Sequence, residues 1–281
     1  MNSTATRIYN HQTMGAMHHV TDSAKRKILI TGARGRIGTC LTEGLQERYD
    51  LRLHNRTPET QPAGFEHATA VLNDYDAVRA MMDGVDTVIH MAANPSVQAP
   101  WDDILNDNII ATRHILEAAK DAGARRVIFA SSNHAMGMYD RDGEWPVYVS
   151  MPVRPDSHYG ASKAIGEVFG RYYYDAFGLE FISLRIGWFT ERKNLVSRKD
   201  HAILRAMWLG PRDMVNVTLG AIETAVPFGI YYAISENPDR RWDITNTIID
   251  LGYRPVERWD EELSMESGHE PGDPPLREEW P

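Results

Sequence analysis

The stretch Lys27-Ile28-Leu29-Ile30-Thr31-Gly32-Ala33-Arg34-Gly35-Arg36-Ile37-Gly38 decides the fold. Its first residues form a short apolar run that stops at glycine, the pattern of a buried strand. Beyond it, Ile37, Leu41 and Leu45 recur every four residues, the stripe of a helix lying on a sheet. Strand, glycine-rich turn and helix in this order make a seat for a dinucleotide pyrophosphate. Gly32 allows the tight turn, Gly35 the close backbone approach and Gly38 the helix–strand packing, with the anion at the helix N-terminus beside Arg34, Arg36 and Ile37. The spacing Gly-x-x-Gly-x-x-Gly differs from the commoner Gly-x-Gly-x-x-Gly, so the context carries the assignment more than the triplet does.

Downstream the same rhythm continues. Strands are expected at Leu51–His54, Thr69–Leu72, Asp86–Ala92 and Val127–Ala130. Helices are expected at Asp74–Met82 and Trp101–Ala122, the second closed by Gly123. Alternation of this kind predicts an α/β fold with a doubly wound parallel sheet. The second strand ends at Asn55-Arg56, where a carboxylate would select NAD by binding the ribose hydroxyls. Without it, and with Arg56 able to pair with a 2′-phosphate, NADP is placed ahead of NAD. Leu72 is expected to flank the adenine, and Met91-Ala92-Ala93 to pass under the nicotinamide ribose.

The second informative stretch runs from Arg126 to Arg171. Its strand ends in Ser131, Ser132, Asn133 and His134, and after a Pro-, Gly- and Asp-containing loop a helical pattern begins near Tyr159. The four-residue spacing from Tyr159 to Lys163 puts phenol and ammonium on one helix face. A phenol with a pKa of about 10 is a poor base until a cation favours its phenolate, and Lys163 supplies one. Ser132 would hold a substrate oxygen while Tyr159 takes its proton, and the departing hydride needs a redox cofactor.

The chain has 39 acidic and 30 basic residues, a formal net charge of −9, and no basic block of the kind that tracks nucleic acid. Only six of the basic residues are Lys, an acidic, Arg-over-Lys composition that fits either high-salt adaptation or a GC-rich genome. There is no apolar run long enough to span a membrane, and residues 1–25 lack a secretory h-region, so a cytoplasmic protein is expected. Cys40 is read as a buried, inert thiol, and the His spacing offers no metal site.

The glycine triplet, the Ser132 region, Tyr159-x-x-x-Lys163 and Asn108 in the long helix together resemble an extended short-chain dehydrogenase/reductase, over about Lys27 to Pro255. The resemblance implies a Rossmann-type core with a small C-terminal substrate lobe. It makes Ser132, Tyr159, Lys163 and Asn108 the catalytic set, Asn108 being the helix-bending residue whose carbonyl helps hold a water near the Lys. It implies cofactor contacts from the glycine turn, Tyr159, Lys163 and Ile186. It also implies a homodimer or homotetramer through the helices starting at Trp101 and Tyr159. The expected divisions are a flexible extension at 1–25, the core at 26–187, a substrate lobe at 188–256 interleaved with it, and a disordered acidic tail at 257–281.

Within that family, Ser-Ser-Asn-His-Ala-Met-Gly at 131 to 137, Arg154-Pro155, Tyr-Gly-Ala-Ser-Lys at 159 to 163 and Leu-Arg-Ile-Gly at 184 to 187 are similar to uronate dehydrogenases and archaeal sugar 1-dehydrogenases. The similarity implies oxidation of the anomeric hydroxyl of a free sugar to a lactone, with Ser96, Ser132, Asn133 and His134 meeting the sugar hydroxyls. The chain departs from uronate dehydrogenases after Gly187. Trp188 replaces a small Ser, and the carboxylate-gripping Arg falls near Ile203, with Arg205 close by. A carboxylate buried without its Arg is costly, so a neutral pentose such as L-arabinose is preferred to a uronate. Six cations between Thr190 and Asp213 (Arg192, Lys193, Arg198, Lys199, Arg205 and Arg212) keep a sugar phosphate such as glucose 6-phosphate as a minority alternative. A nucleotide-sugar epimerase or dehydratase is more distant, because little chain remains after Gly187 for a nucleotide site.

Overall fold

A computed structural model of the chain describes residues 25–57, 62–191, 194–195 and 201–260. Its strands are Lys27–Thr31 (β1), Asp50–Asn55 (β2), Glu66–Thr69 (β3), Thr87–His90 (β4), Arg126–Ser132 (β5), Glu180–Ile186 (β6), Trp188–Phe189 (β7), Trp208–Leu209 (β8) and Phe228–Ala233 (β9). Seven of them form one parallel sheet in the order β3-β2-β1-β4-β5-β6-β9, and β7 pairs with β8 beside it. This is the expected doubly wound α/β architecture.

Two-residue periodicity divides the core between the sheet's faces. Ile28, Ile30, Ile128 and Ala130 join one cluster, which includes Leu41 and Leu45 of the helix Arg36–Leu45 and Val217 of the helix Pro211–Glu223. Leu29, Val127 and Phe129 point the other way, toward Ile115 and Leu116 of the helix Ala111–Ala122 and Tyr173 of the helix His158–Phe177. Both faces are covered, which is why these strands read as unbroken apolar runs.

Two expectations need correction, and a third gains detail. The third strand is Glu66–Thr69 instead of Thr69–Leu72: Asn55 pairs with Thr69, and the Ala70 N–H reaches Asn55 O at 3.3 Å as the chain turns away. The helix runs over Trp101–Ala122 as expected, and within it Ile104–Ile110 is a π segment containing Asn108. The packed chain also runs past residue 256. Glu257 and Trp259 are buried, and the Glu257 carboxylate accepts the Asp213 N–H at 2.9 Å, satisfying a donor in the first turn of Pro211–Glu223. Asp213 in turn accepts from the Val256 N–H at 2.8 Å, the Glu257 N–H at 3.1 Å and Ser235 Oγ at 2.6 Å. The rest of the expected tail, and the N-terminal extension up to residue 24, lie outside the described residues.

No helix among the described residues is long and apolar enough to cross a membrane. Cys40 is half-buried, with its thiol pushed up to about 12 by burial.

Candidate active site

The strand order reverses between β1 and β4, and the crevice above their carboxyl ends is where such sheets bind ligands. A cleft of roughly 300 Å³ opens there, lined by the glycine turn on one side and by β5, β6 and the start of His158–Phe177 on the other. Gly32 has φ of +67°, and a Cβ on it would sit 2.9 Å from the Ala92 backbone. At Gly38 a Cβ would fall 2.3 Å from Gly32 O, so helix and turn meet only because this position is bare. Gly35 caps the helix without a side-chain hydrogen bond, leaving the first-turn N–H groups facing the cleft beside Arg36 and Ile37. This cradle fits a pyrophosphate.

A second hollow of about 230 Å³ continues the cleft past Gly32 and Gly35, along Asn55, Arg56, Leu72, Ala92 and Ala93. Asn55 Oδ1 accepts the Arg34 N–H at 3.0 Å, which ties the end of β2 to the glycine turn, and the Asn55 side-chain nitrogen has no partner. The Arg34 side chain does not line either hollow; its contribution there is the backbone N–H. Arg56 is largely exposed and pairs with Asp107 at 2.9 Å. These residues fit an adenosine ribose between the two hollows.

Ser132 ends β5, and its Oγ accepts the His134 N–H at 3.2 Å. Tyr159 lies in the first turn of His158–Phe177, capped by Ser157 through the Gly160 N–H at 3.0 Å, and lines the cleft beside Ser132. Burial pushes the Tyr159 phenol up, and the Ser132 contact opposes that shift. Lys163 is 4% exposed, and its ammonium lies 5.1 Å from the Phe129 ring centroid and 5.5 Å from that of Tyr159. Desolvation lowers it to about 7. Burial therefore acts on both groups against charge, so the lysine is held close to its switching point.

Asn108 explains the π segment. Its Oδ1 accepts the Asn94 N–H at 2.8 Å, while its Nδ2 donates to Asn94 O and to Ser162 Oγ, each at 3.1 Å. Ser162 Oγ donates to Tyr159 O at 2.7 Å, so Asn108 stitches the loop after β4 to the turn carrying Tyr159. His134 Nδ1 meets Asp156 Oδ2 at 2.7 Å, and its ring stands edge-on to Tyr159 at 5.7 Å. In a neutral ring with Nδ1 donating to the carboxylate, Nε2 is the acceptor. Asn133 is buried, its Nδ2 directed to Met207 Sδ at 3.1 Å.

The cleft thus brings together Ser132, Asn133, His134, Tyr159, Lys163, Ile186, Met91 and Ala93, and Trp188 forms part of its wall. Two expected substrate residues are not among those lining the cleft. Ser96 is exposed at the rim, where its Oγ accepts the Gln98 N–H at 3.2 Å, and the neighbouring Pro95 lines the cleft instead. Arg205 lines a separate pocket with Trp145 and Arg241 and pairs with Asp239 at 3.2 Å; the helix Ala202–Met207 turns it away, while Ile203 goes into the core. Arg212 pairs with Glu257, and Arg192, Lys193, Arg198 and Lys199 lie outside the described residues.

Sequence reasoning missed Asp156, Met207 and Asp107. An acidic residue directly before the Ser157 cap was a usable signal for the first, whereas the others reach the site from distant segments. Among the described residues no group of three or more His, Cys, Asp or Glu is placed to hold a metal.

The cradle, the hollow beyond it and the Ser–Tyr–Lys cluster define an NAD(P)-dependent oxidoreductase of the extended short-chain dehydrogenase type. The chain belongs to the NAD dependent epimerase/dehydratase family, which it matches over residues 28–207. It is 37% identical over 248 residues to the L-arabinose 1-dehydrogenase (NAD(P)(+)) of Haloferax volcanii, covering 82% of this chain and 96% of that one. It is also 37% identical over 245 residues to the NAD-dependent glucose-6-phosphate dehydrogenase of the same organism, covering 81% and 92%. Among solved structures, uronate dehydrogenase from Agrobacterium tumefaciens complexed with NAD superposes with a TM-score of 0.74 at 30% identity, covering 89% of this chain and 92% of that one.

Proposed function

We propose that this protein oxidises the C1 hydroxyl of a free aldose to the aldonolactone, with a neutral pentose such as L-arabinose as substrate and NADP ahead of NAD as acceptor. Tyr159 takes the proton from O1, and Ser132, which lines the same cleft, holds that oxygen. Lys163, when protonated, favours the phenolate. His134 accepts from a sugar hydroxyl through Nε2, its orientation fixed by Asp156, and Asn133 meets another. A bound nicotinamide supplies the electron sink for the hydride that leaves C1.

The observation that carries the pentose reading is the wall. Trp188 fills the side of the cleft beyond Gly187, and Arg205 turns from it to Asp239, so among the described residues no cation on this side awaits a carboxylate or phosphate. Arg36 lies at the pyrophosphate cradle and Lys163 at the base. The NADP preference rests on Arg56 and Asn55 standing at the ribose hollow without a carboxylate at the end of β2. Asp107 opposes it, since the Arg56 guanidinium must leave that partner to bind a phosphate.

Equal identity to a glucose-6-phosphate dehydrogenase supports the second reading, a phosphosugar. The test is reduction of NADP and of NAD, followed by nicotinamide absorbance, with L-arabinose, D-xylose, D-galactose, glucose 6-phosphate and galacturonate at low and high salt. Highest kcat/KM on a neutral pentose is the expected result. Preference for the phosphate or the uronate refutes it and turns attention to the cations at 192–199.

We also read the protein as a homodimer or homotetramer in which the helices from Trp101 and His158 pack against a second copy. Trp101, Val168, Tyr172 and Phe177 on these helices are roughly half exposed or more. Sedimentation of the purified protein tests this.

A further inference from the structure

Trp188 does not stand alone at the cleft. Its ring meets that of Trp259, with centroids 5.9 Å apart and planes tilted by 41°. Trp259 is 2% exposed and stands edge-on to Trp208, centroids 6.0 Å apart, so the three indoles form a stack leading from the cleft into the lobe. The far end of this stack is fixed. Trp208 is fully buried, pairs with Trp188 in the register of β7 and β8, and donates its Nε1–H to Thr190 O at 3.2 Å.

The segment that delivers Trp259 is also fixed. Glu257 O accepts the Glu236 N–H at 3.0 Å, and its carboxylate is held by the Asp213 N–H and by Arg212. Trp259, two residues on, therefore reaches the back of Trp188 from a clamped backbone.

Building on the proposed sugar oxidation, we propose that Trp259 is a positioning residue of the substrate site. It holds the Trp188 ring against the cleft, and so makes the C-terminal segment 256–259 a determinant of the size of sugar accepted. The chemistry it selects for is an aldopyranose without a substituent on C5, because the propped indole occupies the volume that a hydroxymethyl or carboxylate there would need. Trp259 touches no reacting atom, and its removal lets Trp188 tilt back into the vacated space. The substrate that gains is the one with the extra carbon.

L-Arabinose and D-galactose share their ring stereochemistry and differ by the C5 hydroxymethyl, so they isolate this effect. Ratios of kcat/KM for D-galactose over L-arabinose would be measured for the wild type, Trp259→Ala, Trp259→Phe, Trp188→Ala and the double variant Trp188→Ala/Trp259→Ala. We expect Trp259→Ala to raise the ratio about tenfold, the scale on which a pocket discriminates one carbon. Trp259→Phe should restore most of the wild-type ratio, and the cofactor KM should stay constant. In the Trp188→Ala background, Trp259→Ala should add nothing.

An unchanged ratio in Trp259→Ala with native circular dichroism overturns the inference, as does the same increment with and without Trp188. If Trp259→Ala does not fold, Trp259→Leu carries the same comparison with less loss of apolar volume. A wild type that oxidises no sugar sinks the reading of the reaction itself. A wild type that turns over while its ratio ignores Trp259 sinks only the role of this residue.

Discussion

Lys163→Met separates what this lysine does for the reaction from what it does to the fold. The side chain is 4% exposed, its ammonium sits over two aromatic rings, and no carboxylate pairs with it among the described residues. Burial lowers its proton affinity from 10.5 to about 7. At about 1.4 kcal/mol for each factor of ten, holding the charged form inside the fold costs on the order of 4–5 kcal/mol relative to the unfolded chain. Because the folded value lies below the unfolded one, the unfolded chain binds the extra proton between these two pH values. Stability therefore rises with pH across that window, and the penalty is complete below it. Methionine fits the same aliphatic volume and carries no charge. Urea unfolding without cofactor should find Lys163→Met more stable by roughly 4 kcal/mol at neutral pH, with the gain shrinking by about 1.4 kcal/mol per pH unit toward alkaline pH. Turnover should fall by about a thousandfold, since the cation that favours the Tyr159 phenolate is gone. A gain that is the same at every pH, or a loss, would refute the claim that desolvation dominates this lysine.

Three further outcomes are expected. Tyr159→Phe should abolish nearly all sugar oxidation while leaving NADP affinity, read by fluorescence titration, within about threefold; retained turnover would remove Tyr159 as the base. Arg56→Asp should shift the kcat/KM preference from NADP toward NAD by at least about tenfold, because it deletes the phosphate partner and sets a carboxylate beside Asp107; a constant ratio shows that Arg56 does not read the phosphate. Glu167→Gln should destabilise by about 3–5 kcal/mol in urea, since Glu167 accepts from Arg185 Nε at 2.9 Å, Arg185 Nη2 at 2.8 Å and Ser131 Oγ at 2.6 Å, and its loss leaves a buried guanidinium uncompensated. A change below about 1 kcal/mol would mean that this pair is solvated in solution.

The parts of the fold that could be read in advance are those where burial on both faces imposes a local pattern. β1, β4 and β5 are continuous apolar runs because helices cover both sides of the sheet, and Gly32 and Gly38 are bare because a Cβ on either would lie within 3 Å of neighbouring backbone. At the edge this logic fails. β3 has only β2 as neighbour and reads Glu-His-Ala-Thr, while the more apolar Ala70-Val71-Leu72 that follows leaves the sheet with Val71 about half exposed. Apolar content marks a strand only where a second neighbour and a covering layer demand it.

The site divides along the same line. Tyr159, Lys163 and Glu167 share a helix face by their spacing, and Ser132 lies at a strand end, so their convergence follows from two local periods and one parallel pairing. The π segment at Asn108 follows from no period. It exists because the Asn94 backbone and Ser162 both take the Asn108 side chain, and each comes from a different element. The end of the lobe is the sharpest case. Glu257 begins a run that composition assigns to solvent, since a carboxylate among Pro, Gly and acids is ordinarily hydrated. Here it meets the free N–H groups at the start of Pro211–Glu223, and that contact holds a charge which burial pushes toward its neutral form. The anchored carboxylate fixes the chain two residues before Trp259, so the placement of that indole depends on a helix terminus and a carboxylate that no window of sequence contains together.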